Sequence, residues 1–212
     1  MKKNKCSLYL ITPPNFNLQK FSRKLVKAFD GGDIAVLQIR LKNTPDDIIC
    51  RAIDTLLPIA KEFGTTVLVN DRPDLAKKTG CDGVHIGQQD CRYQESRNTV
   101  GEDKVVGVTC HDSTHLAMEA GEQGADYVAF GAFFYTSTKK TNSQPKIDLI
   151  SSWSESTIIP SVAIGGITQK NCVPLIKAGA DFLAVISSIW DYPSGEEAAV
   201  AGFNKLFEIH SS

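Results

Sequence analysis

The stretch Val67–Asp90, VLVNDRPDLAKKTGCDGVHIGQQD, reads as an apolar strand, a short helix and a second apolar strand. Asp71 falls just past the end of the first strand and Asp90 just past the end of the second. Strands joined by a helical crossover run parallel, so both ends open on one face of a sheet. Two carboxylates on such a face can hold a divalent cation against a phosphorylated ligand.

The same rhythm extends in both directions. Short apolar runs recur at Leu8–Ile11, Ala35–Ile39, Thr66–Val69, Gly83–Ile86, Val105–Val108, Tyr127–Phe130, Ser161–Ile164 and Leu183–Ile186. They lack hydrophobic/polar alternation, as strands covered on both faces do. Helical periodicity lies between them: Phe21, Leu25, Val26 and Phe29; Ile48 to Leu57; Leu116, Ala117 and Ala120; Cys172, Leu175 and Ile176. Several of these helices end in Gly before the next strand, at Gly32, Gly64, Gly80, Gly124 and Gly179. Ser194 and Glu197 have capping-box spacing at the start of a last helix.

Eight strands alternating with helices predict an α/β fold, a (βα)₈ TIM barrel. The alternative is a doubly wound open sheet. That fold usually has fewer strands at this length, and no G-x-G-x-x-G follows the first strand. No Pro/Ser/Gly-rich linker divides the 212 residues, so residues 1–212 are read as one domain.

Hydrophobic residues make up 42% of the chain, enough for a sizeable core, and a net charge of −1 gives no electrostatic case for nucleic acid or an acidic membrane surface. No segment approaches the roughly 18 apolar residues of a membrane helix, and the apolar run after Lys5 is too short for the core of a signal peptide. The six cysteines form no C-x-x-C pair and read as reduced thiols of a cytoplasmic protein.

Function in a barrel collects at the C-terminal ends of the strands. Those ends supply Gln38, Arg40 and Lys42 on one side of the second strand, then Asn70, Asp71 and Arg72, then Gln88 and Asp90, then Thr109 and His111. Thr136 to Lys140, Gly165-Gly166 and Ser187-Ser188 complete the set. Cations, hydroxyls and backbone N–H groups together mean anion binding. The Gly pair after strand seven and Ser187 after strand eight match the usual phosphate site of such barrels. Arg40, Lys42 and Lys139 with carboxylates point to a second, more charged anion held through Mg²⁺, which favours one or two carboxylates plus substrate phosphates.

Gln38-x-Arg40-x-Lys42, Asn70-Asp71-Arg72, Val84-His85-x-Gly87-Gln88-x-Asp90, Gly107-Val-Thr-x-His111, Gly131-x-x-Phe134-x-Thr136-x-Thr138-Lys139-Lys140, Ile164-Gly165-Gly166-Ile167 and Val185-Ile186-Ser187 stand at seven consecutive strand ends. In order and spacing, from about Leu8 to Ser188, the chain resembles the thiamine-phosphate synthase family. That family is a set of transferases that join hydroxymethylpyrimidine pyrophosphate to thiazole phosphate and release pyrophosphate. The resemblance implies that Asp71 and Asp90 hold Mg²⁺ and that Arg40, Lys42, Asn70, Thr109 and Lys139 contact the pyrophosphate. Gln38 would read the pyrimidine. Thr136, Thr138, Gly166 and the Ile186-Ser187 backbone would receive the thiazole phosphate. Arg40 and Lys139 would carry catalysis by neutralising the leaving group, and the polar segment Ser137 to Lys146 would form a lid. The implied partners are these small molecules, with no nucleic acid or membrane, and a homodimer as an open assembly state.

The chain departs from the pattern at Leu41 (usually Glu), Thr109 (usually Ser), and Ala132 and Tyr135 (often Pro). Plainer roles compete at several positions. Asp90 can cap the following segment, Asp71 and Arg72 can form a structural ion pair, His85 reads as a satisfied core histidine, and His111 can orient the following helix. Two other functions fit such a barrel. One is a thiazole tautomerase of the same superfamily, which would need a His where this chain has Ala132. The other is a non-catalytic phosphometabolite binder.

Overall fold

The apolar runs become eight parallel strands: β1 Ser7–Ile11, β2 Val36–Ile39, β3 Thr66–Asn70, β4 Gly83–Ile86, β5 Val105–His111, β6 Tyr127–Gly131, β7 Ser161–Ile164 and β8 Phe182–Val185. The computed structural model describes residues 5–136 and 144–211. Each strand pairs with the next, and β8 pairs with β1 through Ser7↔Phe182 to Leu10↔Val185. That last ladder closes the sheet into a barrel and excludes the open doubly wound sheet.

Nine helices are seen among the described residues. They are α1 Leu18–Asp30, α2 Asp46–Glu62, α3 Pro73–Thr79, α4 Tyr93–Val100, α5 Thr114–Glu122, α6 Asp148–Ser156, α7 Val173–Ala178, α8 Ser187–Trp190 and α9 Gly195–His210. The α1 helix shows why the periodic segments fold this way. Asn17 caps it by accepting from Lys20 N, and Phe21, Leu25, Ala28 and Phe29 form its buried stripe. Each large side chain fully buried on such a stripe contributes about 1.5–3 kcal/mol. Periodicity marks no helix at α4, because its buried face is Tyr93, Ser96 and Arg97. At α9, Ser194 is the N-cap residue, but its side chain makes no capping hydrogen bond, so the expected box does not form.

Alternation along the strands divides the core in two. Leu8, Leu10, Leu37, Val67, Val69, Val84, Val106, Val128, Ala163 and Leu183 face outward and pack under the helices. Tyr9, Ile11, Val36, Leu68, Tyr127, Ala129, Val162 and Ala184 fill the barrel interior. Both faces of each strand are covered, which is why the strands read as continuous apolar runs.

The N-terminal ends of the strands are fastened by a repeated device. Gly80-Cys81-Asp82, Gly124-Ala125-Asp126 and Gly179-Ala180-Asp181 precede β4, β6 and β8. The three glycines have φ of +75°, +99° and +94°, a left-handed conformation that side chains resist. Each aspartate then accepts from an N–H at the start of the preceding odd strand: Val67 N at 2.7 Å, Val106 N at 2.7 Å and Ser161 N at 2.8 Å. Lys61 pairs with Asp82 and the buried Arg97 with Asp126, each at 2.6 Å.

Candidate functional site

The opposite, C-terminal rim gathers the polar residues. At the end of β2, Gln38 is buried and points into the barrel, where its Oε1 accepts from Tyr9 Oη at 2.9 Å and its Nε2 donates to Asn70 Oδ1 at 2.6 Å. Two residues on, Arg40 is half-buried, and its backbone N–H donates to Thr12 Oγ1 at 2.9 Å. Thr12 is fully buried and so fixes the backbone that carries Arg40. Burial lowers the pKa of the guanidinium, partly countered by Asp71, and arginine stays charged regardless. Leu41 packs against the outer hydrophobic core, as expected of a residue between two that face the rim.

Asp71 follows β3 with φ +63°, a region where Asp and Asn are the commonest non-glycine residues. Its N–H donates to His85 O at 2.8 Å, which ties the β3 end to β4. The Asp71 carboxylate is partly buried, meets Lys42 Nζ at 3.2 Å and stands against the Asp90 side chain. Burial and the neighbouring Asp90 hold its pKa above the usual carboxylate value, against the pull of Lys42. Asp90 is exposed, and its Oδ2 accepts from Gly87 N at 2.9 Å. It therefore closes the turn before it and does not cap the following segment, whose helix α4 starts after Arg92 without a side-chain cap. Two facing hard oxygen donors suit Mg²⁺, which completes its shell with substrate oxygens and water. Among the described residues, no cluster of three or more His, Cys, Asp or Glu could hold a metal by itself.

Arg72 does not join this group. It forks onto Asp46 at 2.5 and 2.8 Å and onto Asp74 at 2.9 and 2.6 Å, which clamps the start of α3 to the start of α2. Its partner is thus Asp46 and Asp74, not Asp71. His85 is 9% exposed with both ring nitrogens bonded, to Tyr127 Oη and Thr109 Oγ1, each at 2.7 Å. It is the satisfied interior histidine that its place in β4 predicts.

On the other side of the rim, Gly166 has φ +62°, and a Cβ there would lie 2.3 Å from Tyr135 O. Its carbonyl accepts from Asn171 Nδ2 at 3.0 Å, while Ser188 Oγ donates to Ile167 O at 2.7 Å. Asn171 ties the Gly165-Gly166 loop to the turn before α7, and Ser188 ties it to the start of α8. Ile186 caps that helix and Ser187 opens it, exposed at the rim. The first N–H groups of a helix lack partners within it and suit an anion. Thr136 is half-buried. Thr138, Lys139 and most of the expected lid, Ser137 to Lys146, lie outside the described residues.

The structure thus brings Gln38, Arg40, Lys42, Asn70, Asp71, Asp90 and Thr109 to one half of the rim. It brings Thr136, Gly166, Ile186 and Ser187 to the other. Sequence reasoning missed Thr12 and Asn171, which hold the site from behind, and it placed Ser188 at the rim without the bond to Ile167 O that gives it the same backing role. It also missed Tyr9 and Tyr127, whose phenols are hidden in runs that read as apolar strand. Burial raises Cys81 to about 11 and Cys110 to about 12, so neither is a nucleophile at neutral pH. Among the described residues, no helix is long and apolar enough to cross a membrane.

Comparison with known proteins agrees with this geometry. The family model described as thiamine monophosphate synthase matches residues 8–189. The thiamine-phosphate synthase of Rhodospirillum centenum is 53% identical over 201 residues, covering 95% of this chain and 97% of that protein. That of Hyphomonas neptunium is 45% identical, covering 95% and 93%. The solved structure of thiamine phosphate pyrophosphorylase from Pyrococcus furiosus superposes with a TM-score of 0.86 at 29% identity, covering 99% of both chains. By these matches and by its closed eight-stranded barrel, the chain belongs to the thiamine monophosphate synthase family, whose members are transferases.

Proposed function

We propose that this chain joins hydroxymethylpyrimidine pyrophosphate to thiazole phosphate, with Asp71 and Asp90 as the protein ligands of Mg²⁺. The observation that carries the reading is the juxtaposition of the acid pair with Lys42 and Arg40, next to the Gln38–Asn70 carboxamides. Bound there, Mg²⁺ would supply positive charge to the leaving pyrophosphate.

The reaction asks the protein for little covalent chemistry. The C–O bond to pyrophosphate breaks, and its electron pair leaves with the phosphate oxygen. The pyrimidine methyl cation left behind is delocalised by the ring amino group and captured by the thiazole nitrogen. Arg40, Lys42 and Lys139 act on the leaving group as its charge grows, the type of stabilisation that preorganised charges in a dry site give best. Asn70 and Thr109 orient the pyrophosphate, and Gln38 orients the ring. Gly166, Thr136, Thr138 and the Ile186-Ser187 backbone hold the thiazole phosphate so that its nitrogen faces the carbon. The segment after Thr136 excludes water, which would otherwise trap the cation. Such chemistry on soluble metabolites suits a cytoplasmic enzyme.

The test is pyrophosphate release from pure protein with both substrates and Mg²⁺. Release requires all three components under this reading. Protein that releases nothing, or that works equally well in EDTA, would overturn it. A thiazole tautomerase would turn over without any pyrophosphate substrate, and Ala132 offers no acid–base group for that reaction.

A further inference from the structure

One file of hydrogen bonds crosses the barrel interior beneath the rim and touches six strands. It runs from Thr109 Oγ1 to His85 Nε2 (2.7 Å), His85 Nδ1 to Tyr127 Oη (2.7 Å), Tyr127 Oη to Tyr9 Oη (2.9 Å), Tyr9 Oη to Gln38 Oε1 (2.9 Å) and Gln38 Nε2 to Asn70 Oδ1 (2.6 Å). Space for it is built in. A Cβ at Gly107 would lie 1.9 Å from Tyr127 Cζ, so only glycine lets the Tyr127 ring cross β5 toward His85.

The direction of the file is fixed by counting protons. Gln38 Oε1 can only accept, so Tyr9 donates to it. A phenol has one proton, so Tyr127 must donate to Tyr9, and His85 Nδ1–H must donate to Tyr127. Burial keeps both phenols protonated. In a neutral imidazole Nε2 is then the acceptor, and Thr109 donates to it. All five bonds therefore point one way, from Thr109 to Asn70.

This polarity conflicts with an anion at Thr109. The hydroxyl proton is already committed to His85, and a phosphate oxygen accepts only. If Thr109 turns its proton to the anion, His85 must donate from Nε2, Tyr127 must donate to Nδ1, and Tyr9 must donate to Tyr127. Gln38 then has to rotate its carboxamide so that Nε2 donates to Tyr9, and Asn70 follows to donate to Gln38 Oε1. The reversed file keeps all five bonds and every group neutral.

We propose that pyrophosphate binding reverses this hydrogen-bond file, so that Thr109, through the positioning residues His85, Tyr127 and Tyr9, sets which face of the Gln38 carboxamide meets the pyrimidine. The inference rests on the assignment of Thr109 and Gln38 made under the proposed function. It makes the ring-reading residue depend on the anion that the ring must lose, across the width of the barrel.

The test is ¹⁵N NMR of protein labelled in its histidine rings, with His85 assigned by His85→Asn, titrated with inorganic pyrophosphate plus Mg²⁺ while calorimetry records binding. His85 is expected as the Nδ1–H tautomer in free protein and as the Nε2–H tautomer at saturation. Tyr9→Phe and Tyr127→Phe should each lower kcat/KM for the pyrimidine substrate about fivefold to tenfold. They should leave KM for thiazole phosphate unchanged, and the double variant should lose no more than either single one, because all three cut the same file. Pyrophosphate that binds without a tautomer change, a His85 ring protonated on both nitrogens, or additive losses in the double variant would each overturn the inference alone. Protein that does not bind pyrophosphate at all would overturn the proposed function as well.

Discussion

The Lys42 ammonium stands 3.2 Å from the Asp71 carboxylate, joining the loops that follow β2 and β3. Even so, Asp71 keeps a raised pKa, with burial as the first cause and Asp90 as the second. Lys42 does not offset the burial of Asp71 and the carboxylate that faces it, and that local cost is what the proposed Mg²⁺ would relieve.

Asp71→Asn follows from that cost. A carboxyl group whose pKa is raised in the folded state adds stability only below its unfolded pKa, and loses it as pH rises through the folded value. At neutral pH the ionised Asp71 is therefore a burden on the metal-free protein. The amide should raise the metal-free Tm by about 1–3 °C at pH 7, and the gain should shrink toward pH 4. Asparagine also tolerates the φ of +63°. The same variant should lose most of its Mg²⁺-dependent turnover. Thermal scans at several pH values and a Mg²⁺ titration of activity check both halves. A lower Tm together with a normal Mg²⁺ response would refute the assignment.

Arg40→Ala should slow pyrophosphate release roughly ten- to a hundredfold, the worth of about one charged hydrogen bond in the transition state. The loss should appear in kcat more than in KM, because the leaving group gains charge as the bond breaks. Arg40→Lys should recover only part of it, since the ammonium lacks the planar fork. Single-turnover measurements separate the chemical step from binding. An unchanged rate of that step would remove Arg40 from the catalytic group.

Gly166→Ala tests the phosphate end. The methyl would meet Tyr135 O at 2.3 Å and adopt a φ of +62° that alanine resists. The loop must shift, so KM for thiazole phosphate should rise about tenfold or more. The affinity for inorganic pyrophosphate should stay as it is. Steady-state kinetics and calorimetry together decide this, and equal losses at both ends would mean general unfolding of the rim.

Gly107→Ala should be harsher than the addition of one methyl to a strand would indicate. Its Cβ would lie 1.9 Å from the Tyr127 ring, which is buried on all sides. Overpacking of this type costs about 1–3 kcal/mol. In a Tyr127→Ala background, itself destabilised by the cavity, Gly107→Ala should cost much less than in the native chain because the space is vacant. Denaturant unfolding of the single and double variants measures the coupling.

The order and number of the strands were legible because both faces of each strand are apolar and because glycine ends so many of the helices. Boundaries differed mainly where polar residues continue a ladder. Thus β5 runs to His111 because Thr109 and His111 still pair with β6, with a shift in register between them. The placement of the two acids was legible from their positions just past the ends of two parallel strands, and that of the Gln38-Arg40-Lys42 triplet from period-2 spacing. Arg72 was half-legible: its ion-pairing role was visible, but its partners Asp46 and Asp74 were not, since Asp46 is distant in sequence. Thr12, Asn171, Tyr9 and Tyr127 were illegible for a simpler reason. A buried hydroxyl, amide or phenol in a strand or turn looks the same in sequence whether or not it supports a neighbour's backbone.

The three Gly-x-Asp fasteners lie at the end of the barrel away from the rim, one strand length below it, about 13–17 Å for strands of four or five residues. At that separation, with no partners in common, substitutions at the two ends should act almost additively. Loops at the rim are then free to drift toward new phosphorylated substrates while the base keeps the strands in order. The architecture therefore separates inheritance of the scaffold from invention at the mouth, and one such chain can give rise to relatives with altered chemistry without passing through an unfolded ancestor.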